Sequence, residues 1–383
     1  MVRKIVIMLC VIVVGVNLMW SLGIDSNKNV SDIIKLLKAK VGEEVIEVHI
    51  AEKGKIFDLS TKNIIKLKKA GANDDLIAYM IKAGTDDFPF EIEKDFVVKK
   101  PAVHKHLAIF PVFKKTTIKV ENYLTLDEAQ ESKIIIITEK ESESVPVVVI
   151  KNTGRKPIYI MAGEVIIGGK QDRMISYDVL IPAGKEVEVS VKCVEHGRWH
   201  GKSTKFKSAE AVGCKEVRSA LQFKDQQEVW REVSKACQAN KAETASGTYK
   251  AIVESKDIEK RSKPYLKAMK NGLKDKNMVG MIMTLNGEIV CVDIFANSKF
   301  FAKVKGKLLK AYVLDAIGTE VTSMKPPGKK DILAFFEELK TAKTEELKKY
   351  NSNCNYELET DQIIGNESRD NKGNLQHLNL YKQ

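Results

Sequence analysis

Two short stretches concentrate the side chains that could bind or transform a ligand. Residues 163–173, GEVIIGGKQDR, set Glu164, Gln171, Asp172 and Arg173 among Gly163, Gly168 and Gly169. Glycines at positive φ can turn backbone N–H groups inward, which makes a nest for an anion. The stretch is not a nucleotide P-loop, since it lacks the terminal Gly-Lys-Ser/Thr, and no helix start follows it as a dinucleotide fingerprint requires. The plainer alternative is a tight turn whose charges only solvate it. Residues 193–201, CVEHGRWHG, gather Cys193, Glu195, His196, Arg198, Trp199 and His200 into a second cluster. There an arginine can grip phosphate or carboxylate, a tryptophan can stack on a ring, and a glutamate can hold a hydroxyl or act as a base.

Sharper chemistry at the second cluster is disfavoured by local geometry. A thiol nucleophile would need Cys193 deprotonated beside His196 or His200, but a strand cysteine facing the core is inert. Zinc could take His196 and His200 with Cys193 or Glu195, yet His-x-x-x-His shares one face only on a helix, and Gly197 opposes a helix there. No metal or cofactor is therefore expected. His104 and His106 alternate as strand residues do and read as exposed or capping groups.

The clusters stand at the entrance and exit of one predicted hairpin, so antiparallel pairing would bring them to the same sheet edge. The expectation is a shared polar pocket. In it Arg173 and Arg198 meet anionic groups, Trp199 stacks, Gln171 orients, and Gly168 and Gly169 lend backbone N–H groups. Glu164 and Glu195 hold hydroxyls or serve as catalytic acid and base.

The elements that must position these residues read as α+β, with strands followed by helices and more strands. Short β-branched runs such as KIIIIT and VPVVVI predict an antiparallel sheet or sandwich over 105–200. Within it, DVLIPAGKEVEVSVKCVE predicts a two-strand hairpin around Pro182 to Gly184. Helical spacing follows over 208–272, then a hairpin at Asn286-Gly287 and a helix within 278–345, then a terminal hairpin over 354–383. The whole α+β domain is expected to span 95–383.

Upstream, residues 32–50 align without gaps on 63–81 at an offset of 31. Each copy predicts a helix-turn-helix hairpin capped by Asp32 or Asn63, with an acidic pair opening its second helix. Neither hairpin is stable alone, so the two should pack as a four-helix module over 30–84, a surface that could dock a protein partner.

Arg3 and Lys4 precede an apolar run from Ile5 to Trp20, which predicts an export signal or N-terminal anchor over 1–24. The protein is then exported to the cell envelope or beyond, touching membrane only through that segment. Five cysteines follow the run, an odd number without a C-x-x-C pair, which argues for buried thiols over a disulfide scaffold. The net charge of +12 favours a small anionic ligand, but lysines are scattered among glutamates, and no nucleic-acid track emerges.

The order PVVVIKNTGRKPIYIMAGEVIIGGKQDR, DVLIPAGKEVEVSVKCVEHGRW, FKDQQEVWREV and SGTY resembles a family over most of residues 100–383. It is the family of ARG and rhodanese-phosphatase-superfamily-associated proteins, where ARG abbreviates ADP-ribosylglycohydrolase. The resemblance implies a link to ADP-ribose or related phosphorylated nucleosides. It carries over to Glu164, Gly168, Gln171, Arg173, Glu195, Arg198 and Trp199. Asp172 and His196 depart from the family's Asn and Gln, and the added carboxylate partly neutralises Arg173. Three functions follow as expectations: a binding or accessory module for an anionic, nucleotide- or ADP-ribose-like ligand, a hydrolase on such a compound, or an envelope scaffold.

Overall fold

The computed structural model describes residues 30–383, apart from 54–56, 58, 60, 84–87, 94, 116–121, 141–145, 199–202 and 243. The expected export segment and Trp199 lie outside the described residues. No described helix is long and apolar enough to cross a membrane. The chain forms a small unit, residues up to Phe90 with 328–331, and a large one, Glu91–Pro327 with Ile332–Gln383.

In the small unit the duplication becomes four helices: α1 (Val30–Lys38), α2 (Glu43–Lys53), α3 (Thr61–Lys69) and α4 (Asp74–Ala83). Equivalent helices pack on each other, α1 on α3 and α2 on α4. The offset of 31 superposes Leu36 on Leu67 and Ile46 on Ile77, and all four side chains are buried in one core. It also pairs Lys40 with Gly71, which end their helices in the left-handed region at φ 56° and 101°. Asp32 and Asn63 do not cap as expected, because α1 and α3 begin earlier, at Val30 and Thr61. The observed cap is Asn73, whose Oδ1 accepts from Leu76 N at 2.7 Å.

The large unit opens with β1 (Phe90–Glu93), β2 (Phe96–Val98), β3 (Ala102–His104) and β4 (Leu107–Lys114). Helix α5 (Leu126–Glu131) follows, started by a reciprocal capping box between Thr125 and Glu128. Next come β5 (Ile135–Glu139), β6 (Val147–Asn152), β7 (Ile158–Ile160) and β8 (Glu164–Gly168). After them stand β9 (Arg173–Ile175), β10 (Val179–Ile181), β11 (Glu186–Cys193) and β12 (Lys205–Val212). Six of these strands close into a barrel in the order β11-β6-β5-β12-β8-β9, while β7 and β10 pair separately. Ile137, Ile150, Ile166, Ile175, Val189 and Phe206 belong to its apolar core.

Three sequence expectations are corrected here. The strands of 105–200 do not form one sheet or sandwich, since β4 joins the larger sheet and most of the rest form the barrel. The segment 179–193 is not a hairpin: β10 is taken by β7, and β11 pairs with β6 and β9 instead. Helical structure begins at Lys215 rather than 208, because residues 205–212 form β12, which closes the barrel against β5 and β8.

Helices α6 (Lys215–Phe223), α7 (Gln226–Asn240), α8 (Lys250–Val253) and α9 (Lys256–Gly272) lead to β13 (Met278–Leu285) and β14 (Glu288–Phe295). Asn286 and Gly287 both take positive φ, 53° and 89°, as a two-residue hairpin turn requires. Helices α10 (Ser298–Gly318) and α11 (Lys329–Leu339) precede β15 (Lys343–Lys349), β16 (Asn353–Glu359), β17 (Ile363–Asp370) and β18 (Leu375–Lys382). The large sheet runs β1-β2-β4-β13-β14-β18-β17-β16-β15, with β3 beside β4. Phe300, Phe301, Val304 and Tyr312 of α10 share one core with Tyr159 and Met161 near β7 and with Met281 and Phe295 of the sheet. The fold is α+β, a barrel and a sheet, with Val212 of β12 sharing the core that the sheet builds with α10.

Candidate functional site

Strands β9 and β11 pair with Arg173 opposite Cys193, so the two polar stretches do converge. What they build is a closed latch. Arg198 Nε and Nη2 reach Glu195 Oε2 at 2.9 and 2.7 Å, Nη2 also reaches Asp172 Oδ1 at 3.1 Å, and Nη1 donates to Gly169 O at 3.0 Å. Asp172 N donates to Glu195 Oε2 at 3.1 Å, Gln171 Nε2 donates to Glu195 O at 2.8 Å, and Thr248 Oγ1 donates to Asp172 Oδ2 at 3.0 Å. Burial works to raise the Glu195 carboxyl, but Arg198 and the Asp172 N–H hold it below the usual range. For Asp172 burial prevails over the Gly168 N–H, and its carboxyl is raised.

The glycine turn is not an open nest. Gly168 N donates to Asp172 Oδ1 at 3.0 Å, Gly169 N to Lys205 O at 3.3 Å, and Lys170 N to Glu139 Oε1 at 2.7 Å. A Cβ on Gly168, at φ 134°, would stand 2.3 Å from Lys205 O, so glycine is required there by the approach of β12. Arg173 lies beneath the turn, 4% exposed, donating to Cys193 Sγ, with Glu139 Oε1 at 3.8 Å. Two guanidinium groups thus face three carboxylates, those of Glu139, Asp172 and Glu195. Gly168, Gly169, Gln171, Glu195 and Arg198 meet in the latch, whereas Arg173 is sealed under it.

Cys193 is buried, and burial pushes its thiol up against the pull of Arg173, the setting of an unreactive core cysteine. All five cysteines of the described residues are buried. His106 is buried rather than exposed, and its Nε2 lies 3.0 Å from Ala316 O in the last turn of α10, a capping contact.

Glu164 is elsewhere. It starts β8 and Gly168 ends it, a separation of about 13 Å along an extended strand. Its Oε2 lies 2.7 Å from Lys307 Nζ, which also holds Asp127 Oδ2 at 2.8 Å. Burial lifts the Glu164 carboxyl to about 7 even against Lys307. The expected catalytic pairing of Glu164 with Glu195 is therefore not formed: the strand between them holds the carboxylates apart, each on its own cation.

A dense polar cluster among the described residues is one the sequence reading missed. Gly163, at φ 88°, is where the Arg218 side chain of α6 passes: a Cβ there would meet Arg218 Cγ at 2.8 Å. Beyond that neck Arg218 Nη2 and Nη1 reach Asp293 Oδ1 and Oδ2 at 2.6 and 3.0 Å. His377 Nε2 lies 3.1 Å from Asp293 Oδ1 and its Nδ1 lies 2.8 Å from Asp178 Oδ2. Tyr312 OH donates to Asp293 Oδ2 as well. Asn353 and Asn355 Nδ2 donate to Asp178 O at 2.8 and 3.0 Å, which ties the sheet to the segment between β9 and β10.

Register makes this a stripe. Ser368 stands opposite His377, itself opposite Phe295, and Asn366 stands opposite Asn379, itself opposite Asp293. Every one of these side chains is essentially unexposed. The available signal was an aspartate inside the apolar run EIVCVDIF and the alternating polar residues of NCNYELE and LQHLNLY.

A family model described as the ARG and Rhodanese-Phosphatase-superfamily-associated Protein domain matches residues 95–381, nearly all of the large unit. No curated protein and no solved structure matches the chain.

Proposed function

The chain belongs to the ARG and Rhodanese-Phosphatase-superfamily-associated Protein family, and on that premise we propose that it is an exported binding or accessory module for an anionic, nucleotide- or ADP-ribose-like ligand. The observation carrying this reading is Arg198. Its side chain is 32% exposed while Asp172 and Glu195 beneath it are buried, and Lys170 and Lys205 stand exposed on either side of the turn. A phosphate would be drawn by the lysines and gripped bidentately by the guanidinium. It must compete with the two carboxylates already there, so binding and opening of the latch are one event.

The hydrolase alternative has less support, because Glu164 and Glu195 do not face a common substrate position. A second surface is proposed on the helical module, where Val48 and Ile65 are 46% and 50% exposed and could meet a protein partner.

The test is a thermal-shift titration of the full chain with ADP-ribose, ADP and ribose 5-phosphate. Saturation at a hundredfold excess over Kd adds about 2.7 kcal/mol, a readily measured rise in midpoint. Arg198→Ala should remove the rise, and Lys170→Ala should shrink it most at low salt. No rise with any of the three compounds discards the reading, and release of a cleavage product would restore the hydrolase.

A further inference from the structure

The buried stripe holds an acid–base arrangement that the proposed ligand site does not use. Both ring nitrogens of His377 face carboxylate oxygens, Asp178 Oδ2 at 2.8 Å and Asp293 Oδ1 at 3.1 Å. A neutral imidazole has one N–H and one lone pair, so one of these contacts would set a lone pair against an anion. A proton on Asp293 is no remedy, because Arg218 donates to each of its oxygens and Tyr312 donates to Oδ2. Asp178 Oδ1 accepts from Ala162 N at 2.7 Å, which leaves the proton to either Asp178 Oδ2 or the His377 Nδ1 it faces, and of the two the imidazole is the stronger base. An imidazolium satisfies both contacts, and it balances the charge: Arg218 and His377 against Asp178 and Asp293.

We infer that His377 carries a proton through neutral pH and pins the barrel side of the molecule to the sheet, and that its loss under alkaline conditions is a built-in release of that seam. The neighbours on every packed element fit. Asp178 comes from the segment between β9 and β10, Asp293 and Cys291 from β14, Arg218 from α6, Tyr312 from α10, Tyr159 from β7 and Tyr381 from β18 itself. Phe295 lies flat against the imidazole, centroids 4.0 Å apart and planes 10° from parallel, a face suited to a cation. Burial alone would lower the histidine, but the two carboxylates raise it. Its stabilising contribution is thus complete below the ordinary 6.5 and is lost as pH climbs through the raised value. Deprotonation would leave buried Asp178 facing a neutral ring across the seam.

The experiment is nitrogen-15 histidine NMR of the full chain at pH 8, with the His377 signals assigned by their absence in His377→Gln. A free histidine would be about 3% protonated at that pH. More than half protonation at both ring nitrogens is expected, and less than half overturns the inference. Should His377→Gln fail to fold, Asp178→Asn serves for assignment, since removing one carboxylate must move only the His377 titration, and downward. Thermal midpoints from pH 6.5 to 9.5 give the release itself: the wild-type decline should shrink by at least half in whichever variant folds. An undiminished decline refutes the seam role.

Discussion

Arg218→Met tests whether the buried stripe is an ion-paired unit or merely a collection of tolerated polar groups. The substitution keeps much of the apolar stem that threads past Gly163 and deletes the guanidinium. Arg218 is 1% exposed and Asp293 unexposed, so the variant strands a carboxylate in the interior. Breaking such a pair costs about 3–5 kcal/mol. His377 and Tyr312 still donate to Asp293. Arg218 Nε also lacks a partner among the described residues, and its removal recovers part of a penalty of about 1–3 kcal/mol. Both corrections point to the lower end, about 3 kcal/mol, or roughly 5 °C in midpoint for a unit of this size.

The assay is urea unfolding at pH 7 on Arg218→Met, Asp293→Asn and the double variant. Removing the second charge removes the reason for the first penalty, so the double variant should be more stable than the sum of the singles by at least about 1.5 kcal/mol. A loss below about 1 kcal/mol for Arg218→Met, or strict additivity, would refute the pairing argument.

Glu164→Gln should flatten the acid limb of the stability profile. The folded carboxyl titrates at about 7 against an ordinary 4.5, so the native state holds more protons over that window and stability falls as pH rises through it, by about 3 kcal/mol in all. An unchanged slope between pH 4.5 and 7 in the variant excludes Glu164 as its source. Gly168→Ala places a methyl 2.3 Å from a backbone oxygen, whereas Gly184→Ala, also at positive φ, meets nothing within 4 Å. The first should cost at least twice the second in urea unfolding, with backbone strain alone accounting for about 1–3 kcal/mol in each. Glu195→Gln weakens the hold on Arg198, so trypsin should cut at Arg198 several-fold faster at a temperature well below the midpoint of either protein. Equal cleavage rates would mean the latch does not govern access there.

Legibility followed the range over which each signal acts. Asn286-Gly287 names its own turn, since both residues accept positive φ, and the hairpin between β13 and β14 is where the sequence places it. The offset between helical repeats was readable for the same reason, as a local periodicity stated twice. Strand β11 shows the limit. Its alternation of Val187, Val189 and Val191 says that one face is buried but not which strand lies beside it, and β6 and β9 win over the sequence neighbour β10. The convergence of GGKQDR with CVEHGRW was legible because it needs only antiparallel pairing of β9 with β11. That Asp172 would turn to Arg198 instead of its neighbour Arg173 was not, and the carboxylate that approaches Arg173 is Glu139, supplied from β5.

The stripe was hidden for a more general reason. Alternating Asn353 and Asn355, Asn366 and Ser368, or His377 and Asn379 is the pattern of a strand with one face in water. Nothing local distinguishes that from a polar face buried against its complement. The distinction lies in the complement: Arg218 from α6 and Asp178 beside β10 supply the opposite charges, and Gly163 gives Arg218 its passage. A polar face is taken out of water at small cost only when most of its donors and acceptors are met. The interior of this sheet therefore specifies its partner by charge and hydrogen-bond register, where an apolar face would have accepted many packings.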